Sequence, residues 1–98
     1  MQAKMWNYKV WITNTDCEFL PNKLSAMLDL AGFDVLQWIE HKFEPYGYTA
    51  LWLLGESHLA VHTFPEHGKA YLELSSCVRP PFVEFKKLVE KELQITSG

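Results

Sequence analysis

Apolar and polar residues alternate or run together along five short stretches of this chain, in the manner of β-strands. The first stretch, WNYKVWIT, places every second residue on one apolar face. A later stretch, YTALWLL, is continuously apolar, which suits a central strand covered on both faces. The five predicted strands cover residues 6–13, 33–43, 48–54, 58–64 and 69–76.

Two further stretches repeat apolar residues at helical spacing. In the first, Pro21 suits the opening turn and Gly32 stands where a C-terminal cap belongs. The apolar face of this helix consists of Leu24, Met27, Leu28 and Ala31. Pro80 and Pro81 open the second helix. Its predicted buried face consists of Phe82, Phe85, Leu88, Val89 and Leu93.

The predicted order is strand, helix, four strands, helix. Strands joined by tight turns pair antiparallel, so we expect a sheet of about four to five strands with both helices on one face. This is an α+β two-layer sandwich. A chain of 98 residues fits one such domain over 1–98, with a frayed end at ITSG.

Composition and charge argue against some kinds of binding partner and cellular location. The net charge is −3 and no cluster of positive charge is visible, which argues against nucleic acid. No apolar run is long enough to span a membrane, and the first ten residues lack the apolar core of a secretory signal. Cys17 and Cys77 form no CxxC motif. We therefore expect a cytoplasmic protein with free thiols.

The segment GESHLAVHTFPEHG, residues 55–68, holds three of the four histidines. His58 and His62 have the spacing of zinc ligands on a helix, but the residues around them favour a strand, and the glutamate of HExxH is missing. No GxSxG motif supports a serine hydrolase. A polar strand edge is the simplest alternative. However, Gly55 permits a turn in which Ser57 presents its hydroxyl to the preceding carbonyl. We expect no metal.

Together with HKFEPYGYTALWLL upstream and Cys77 downstream, this segment resembles the small prokaryotic S-adenosylmethionine decarboxylases from about Tyr8 to Leu88. Members of that family are proenzymes that cleave themselves. The resemblance implies cleavage between Glu56 and Ser57 into chains 1–56 and 57–98. Ser57 would attack the carbonyl of Glu56, and His62 would then remove the serine α-proton. Thr49 stands where the family has a serine whose hydroxyl assists processing.

The resemblance also implies a pyruvoyl cofactor made from Ser57, which acts as an electron sink by forming a Schiff base with the substrate amine. Cys77 would return a proton after carbon dioxide leaves. Phe43 would stack on the adenine of S-adenosylmethionine, and Glu66 would hold the ribose hydroxyls. The product serves as aminopropyl donor in the biosynthesis of spermidine and other polyamines, and family members form homodimers with the pocket near the interface. Val78 replaces the glycine that usually follows the cysteine.

Two alternatives stay open within this resemblance. Relatives with the same self-cleaving core decarboxylate arginine or ornithine, and an unprocessed homologue could act as a regulatory or binding partner.

The geometry of a strand adds one expectation about Ser57 and His62. Ser57 and His62 are five residues apart, so a regular strand would place their side chains on opposite faces. For His62 to reach the Ser57 α-proton, the chain must bend or bulge within 55–57.

Overall fold

Six strands form one antiparallel sheet, and two helices lie against one of its faces. The computed structural model describes residues 4–98. Along the chain the elements are β1 (Trp6–Ile12), α1 (Phe19–Ala31), β2 (Gln37–Lys42), β3 (Tyr48–Leu53), β4 (Ser57–Phe64), β5 (Lys69–Ser76), α2 (Arg79–Glu92) and β6 (Ile95–Thr96). The strand order is β2-β3-β4-β5-β1-β6, and every neighbouring pair is antiparallel. The predicted α+β two-layer sandwich is confirmed.

The core lies between the helices and every second residue of the strands. On β4, for example, Leu59 and Val61 are fully buried, whereas His58, which precedes Leu59 in the strand, faces outward. The helices contribute the apolar faces that their spacing predicts. Their buried residues are Leu20, Leu24, Met27, Leu28 and Ala31 from α1 and Phe85 and Val89 from α2.

The ends of α1 follow from two local features. Gly32 has the positive φ of 101° that a left-handed C-cap requires, as predicted. At the other end a carboxylate oxygen of Asp16 accepts bonds from the backbone N–H groups of Glu18 and Phe19, at 2.8 and 3.0 Å. These bonds also lower the pKa of Asp16. Because Asp16 satisfies these free N–H groups, the helix begins two residues before Pro21.

Two ends of the sheet differ from the prediction. β2 covers only Gln37–Lys42, because Phe33 turns into the core directly after Gly32 and is 6% exposed. The expected frayed end instead contains a sixth strand, β6, which pairs with Trp11 and Ile12 of β1. The Thr13 N–H donates to the Gln94 carbonyl at 3.0 Å, and this bond holds the segment after α2 against the end of β1. A two-residue strand carries too little alternation to be read from sequence.

The second face of the sheet carries no helix, and we call it the open face. β3 was predicted to be covered on both sides, but Leu51 and Leu53 on this face are 44% and 45% exposed. Ile39 on β2 adds to the same apolar surface. Phe64 lies on the same face but at the other end of β4, beside Trp11. The single chain therefore covers only one face of β3. Among residues 4–98, no helix is long and apolar enough to cross a membrane.

Candidate active site

A tight turn leads from β3 into β4 at the Glu56–Ser57 bond. Gly55 has a positive φ of 76°, and the Leu54 N–H donates to the Ser57 carbonyl at 2.9 Å. The predicted bend is therefore present at Gly55 and Glu56. No bulge follows it, because the pairing with β5 runs without a break from Ser57↔Ser76 to Phe64↔Lys69.

The Ser57 side chain points toward the helices, and the residue is 3% exposed. It donates a hydrogen bond of 2.8 Å to the hydroxyl of Ser76, its cross-strand neighbour on β5. The Ser76 hydroxyl also accepts a bond of 2.9 Å from the Val78 N–H. Ser76 is not among the residues predicted from the sequence. The only signal for it was its position next to Cys77, and its pairing with Ser57 depends on the β4–β5 register.

Cys77 follows directly on Ser76 and lies beside the turn. Its thiol donates to a carboxylate oxygen of Glu56 across 3.5 Å. Partial loss of hydration, together with the bond and the negative charge of Glu56, raises the pKa of the Cys77 thiol above its ordinary value. The thiol thus keeps its proton at neutral pH. Glu56, Ser57, Ser76 and Cys77 form one group, which we call the turn group.

Four of the other predicted residues surround a second location. A cavity of about 240 Å³ lies where the β2–β3 turn meets the end of β4, and its lining includes Phe43, Thr49, His62 and Glu66. The Thr49 hydroxyl and Nδ1 of His62 are 2.9 Å apart and hydrogen-bonded. Phe43 is half exposed and meets the ring of His41 edge-on, with the ring centres 4.5 Å apart. We call these four residues the pocket group.

Aromatic residues on β5 and β1 support His62 from the side. The ring of Tyr71, the cross-strand neighbour of His62, lies nearly parallel to the imidazole with the centres 6.5 Å apart. Trp11 packs against the other side of Tyr71, at 5.1 Å. The Tyr71 hydroxyl donates to Glu73 at 2.6 Å, and this bond is the main reason that the pKa of Tyr71 is raised to about 12. Tyr71 could not be predicted from the sequence, because its place beside His62 depends on strand register.

The turn group and the pocket group do not meet within one chain. Ser57 lies on the face covered by helices, whereas His62 lies on the open face. Five residues of extended chain also separate them by about 17 Å. His62 therefore does not reach the Ser57 α-proton in the same chain. Within residues 4–98, no three His, Cys, Asp or Glu side chains are grouped so that they could hold a metal ion.

Comparison with known proteins assigns this sandwich to a family. A sequence model of S-adenosylmethionine decarboxylase matches residues 10–97, nearly the whole chain. The chain therefore belongs to the S-adenosylmethionine decarboxylase family. The structure of an adenosylmethionine decarboxylase from Aquifex aeolicus superposes with a TM-score of 0.81, covering 99% of this chain and 86% of that one. At 19% identity that likeness shows the shared fold alone.

Several relatives carry the name S-adenosylmethionine decarboxylase proenzyme. The one from Prochlorococcus marinus (strain MIT 9313) is 44% identical over 62 residues, which are 63% of this chain and 50% of that protein. The one from Oceanobacillus iheyensis is 33% identical over 75 residues, 76% of this chain and 59% of that protein. The chain thus spans about half the length of the curated relatives it matches.

The Cys77–Glu56 contact generates a prediction about thiol reactivity. Glu56→Gln removes the negative charge beside Cys77, so the pKa of the thiol should fall and more thiolate should be present at pH 7. Alkylation of Cys77 by iodoacetamide should then be faster, with its pH profile displaced to lower pH. The measurement uses a Cys17→Ser, Ser57→Ala background, so that one thiol reacts and the chain stays whole. Glu84→Gln, a carboxylate lost on α2, is the control. An unchanged profile would contradict the electrostatic coupling.

Proposed function

We propose that this chain is a self-cleaving S-adenosylmethionine decarboxylase that uses a pyruvoyl group derived from Ser57. The observation that carries the proposal is the grouping of Phe43, Thr49, His62 and Glu66 around one cavity. A polar strand edge with no function would not require residues from two separate turns to line the same cavity. The turn group adds a buried serine after a Gly55 turn, with a protonated thiol beside the bond to be cut.

Self-cleavage proceeds in two steps that use the chain's own atoms. In the first, the Ser57 hydroxyl oxygen bonds to the Glu56 carbonyl carbon, the peptide C–N bond breaks, and the hydroxyl proton passes to the nitrogen, giving an ester. In the second, a histidine takes the Ser57 α-proton, the Cβ–O bond breaks, and Glu56 leaves as a carboxylate. Water then converts the new dehydroalanine end to a pyruvoyl group and releases ammonia. Holding the serine and the carbonyl close together favours the first step.

The residues at the start of β4 fit the pyruvoyl group. The new end would stand at the first position of the strand, next to the end of β5 that carries Cys77. The group would supply an electron sink for loss of the substrate carboxylate. Because its pKa is raised, the Cys77 thiol is a proton donor rather than a thiolate at neutral pH. This agrees with its proposed role in returning a proton.

The pocket group fits a nucleoside. Half of the Phe43 side chain is exposed at the cavity, which leaves its ring face open for stacking on a base. Glu66 lies in the short 3₁₀ turn after β4 and offers two acceptor oxygens for ribose hydroxyls. The cavity volume of about 240 Å³ is below the range usual for small-molecule sites. A second subunit over the open face would enlarge and close it.

We further propose that the working site forms between two copies of the chain. A two-fold axis that lies midway between two facing open sheets, perpendicular to β4 and level with Leu59 and Ala60, reverses the direction of the strand. It thereby sets Ser57 of one copy opposite His62 of the partner subunit. In an extended strand the Cα–H bond lies close to the plane of the sheet, between the two faces that carry the side chains. Ser57 is the first residue of β4, next to the turn at Gly55, and its α-hydrogen is the atom that His62 of the partner subunit would have to reach.

The open face itself supports this arrangement. Leu51, Leu53 and Ile39 are between 44% and 65% exposed on one contiguous apolar surface. A second copy of the same face would cover these residues and leave both helix layers outside. Burial of such a surface stabilises an assembly by roughly 25 cal/mol for each Å² of apolar area removed from water.

Self-cleavage is tested by the intact mass of the chain after expression in a bacterium. We expect a fragment ending at Glu56 and a pyruvoyl-started fragment from residue 57. Ser57→Ala removes the nucleophile and should leave a single uncut chain. A wild-type chain that stays whole after prolonged incubation at neutral pH would overturn the proposal and favour the unprocessed homologue. Cleavage of the Ser57→Ala chain would overturn the mechanism.

The shared site is tested by co-expression of two inactive chains. His62→Ala and Ser57→Ala should each block cleavage alone. In a mixed dimer, Ser57 of the His62→Ala chain faces an intact His62 of the partner subunit, so the His62→Ala chain should be cut. Mass spectrometry identifies its C-terminal fragment by the alanine at position 62. If only wild-type chains are cleaved and co-expression yields no fragment, the two groups do not cooperate across subunits.

The substrate is tested by release of carbon dioxide from S-adenosylmethionine, arginine and ornithine. We expect S-adenosylmethionine to react fastest. Phe43→Leu removes the stacking ring and should raise KM for S-adenosylmethionine about tenfold, since base–aromatic stacking contributes ~1–3 kcal/mol. Phe19→Leu changes a similarly exposed aromatic on α1 and serves as the control. Faster reaction with arginine or ornithine would assign the chain to an amino-acid substrate instead.

A further inference from the structure

The Ser76 hydroxyl occupies a position that no step of the proposed reaction uses. We propose that Ser76 is a positioning residue for self-cleavage, which holds the Ser57 hydroxyl and the segment that carries Cys77 in one fixed arrangement. The inference rests on the proposed self-cleavage at Ser57. It adds a residue from outside the pocket group and the predicted processing residues.

The hydrogen bonds around Ser76 have only one consistent direction. Its hydroxyl lies 3.2 Å from the Val78 carbonyl, which can only accept, so the Ser76 proton is donated there. Its oxygen accepts from the Val78 N–H at 2.9 Å and from the Ser57 hydroxyl at 2.8 Å. One donor and two acceptor sites are the full capacity of a hydroxyl. With these partners, Ser57 is the donor in the bond between the two serines.

This direction affects the nucleophile. Ser57 is 3% exposed and Ser76 is fully buried, so water does not compete for either hydroxyl. With its proton donated to the buried Ser76 hydroxyl, the Ser57 oxygen has a fixed neighbour and keeps lone pairs for the attack on a carbonyl. A serine that rotates freely would spend only part of its time in a reactive geometry.

The same hydroxyl also fixes the segment after β5. The two bonds between Ser76 and Val78 close a small loop around Cys77, and the Cys77 thiol lies against Glu56 on the other side of the turn. Ser76 thus connects the residue before the cut, the residue after it and the proposed proton donor. A role limited to stability would not require contact with both Ser57 and the Cys77 segment.

The test compares the rate of self-cleavage in the full chain after cell-free synthesis, followed by mass. Ser76→Ala should slow cleavage by about tenfold or more, because small displacements of a reacting group carry costs of that order. Ser75→Ala is the matched control, since Ser75 is also buried and loses one hydroxyl bond, to Asn7, without touching Ser57. It should remain within about threefold of wild type. Equal rates for Ser76→Ala and Ser75→Ala, with wild type cleaving normally, would overturn the inference and leave the proposed function intact.

Two further measurements separate positioning from folding. Ser76→Thr and Ser76→Val have the same shape, but only threonine keeps the hydroxyl, so the threonine chain should cleave faster than the valine chain. In a His62→Ala background the ester from the first step should accumulate, and hydroxylamine should cut it. Adding Ser76→Ala should reduce the amount cut, because Ser76 acts on that first step. Equal cutting with and without Ser76→Ala, or equal rates for threonine and valine, would overturn the inference. A wild-type chain that never cleaves would overturn it together with the proposed function.

Discussion

The candidate site depends on the regular alternation of side chains along β4. Because no bulge interrupts the pairing of β4 with β5, Ser57 faces the helices and His62 faces the open side. Each is then held by a neighbour on its own face, Ser57 by Ser76 and His62 by Thr49. Because of these contacts, the side chains of Ser57 and His62 stay on opposite faces and do not rotate toward each other. Under the proposed function, a nucleophile and a base held on opposite faces of one chain are two half-sites.

The layer architecture explains why half-sites are a stable arrangement. Both helices pack on one face, so the apolar residues of that face are covered within the chain, while Leu51 and Leu53 on the other are not. Large apolar side chains left uncovered on one face of a sheet are typical of a surface that packs against another layer. In the proposed dimer a single packing event would cover this face and bring His62 of the partner subunit to the Ser57 backbone. The contacts that stabilise the dimer and the contacts that the chemistry requires would then involve the same two strands, β3 and β4.

Local patterns made much of the fold predictable, and long-range register made the rest unpredictable. The helices, the Gly32 cap and the turn at Gly55 follow from spacing and from the backbone freedom of glycine. The residues of the candidate site were predicted from a family resemblance. Their division into two groups followed from the two-residue period of a strand, which places Ser57 and His62 on opposite faces. β6 could not be predicted, because it depends on the pairing of a distant segment with β1. The same holds for Ser76 and Tyr71, whose places beside Ser57 and His62 are properties of the β4–β5 register.

The departure at Val78 shows how a site can keep its geometry while one residue changes. Glycine is favoured where φ is positive, but Val78 has φ −110° and ψ 104°, an extended conformation open to any residue. It forms the N-cap of α2, and its N–H and carbonyl are both engaged by Ser76. These are backbone groups, which valine and glycine share. The direction of the Cys77 segment is therefore set by a side chain one residue before the cysteine, so loss of the glycine after it does not require the thiol to move away from Glu56.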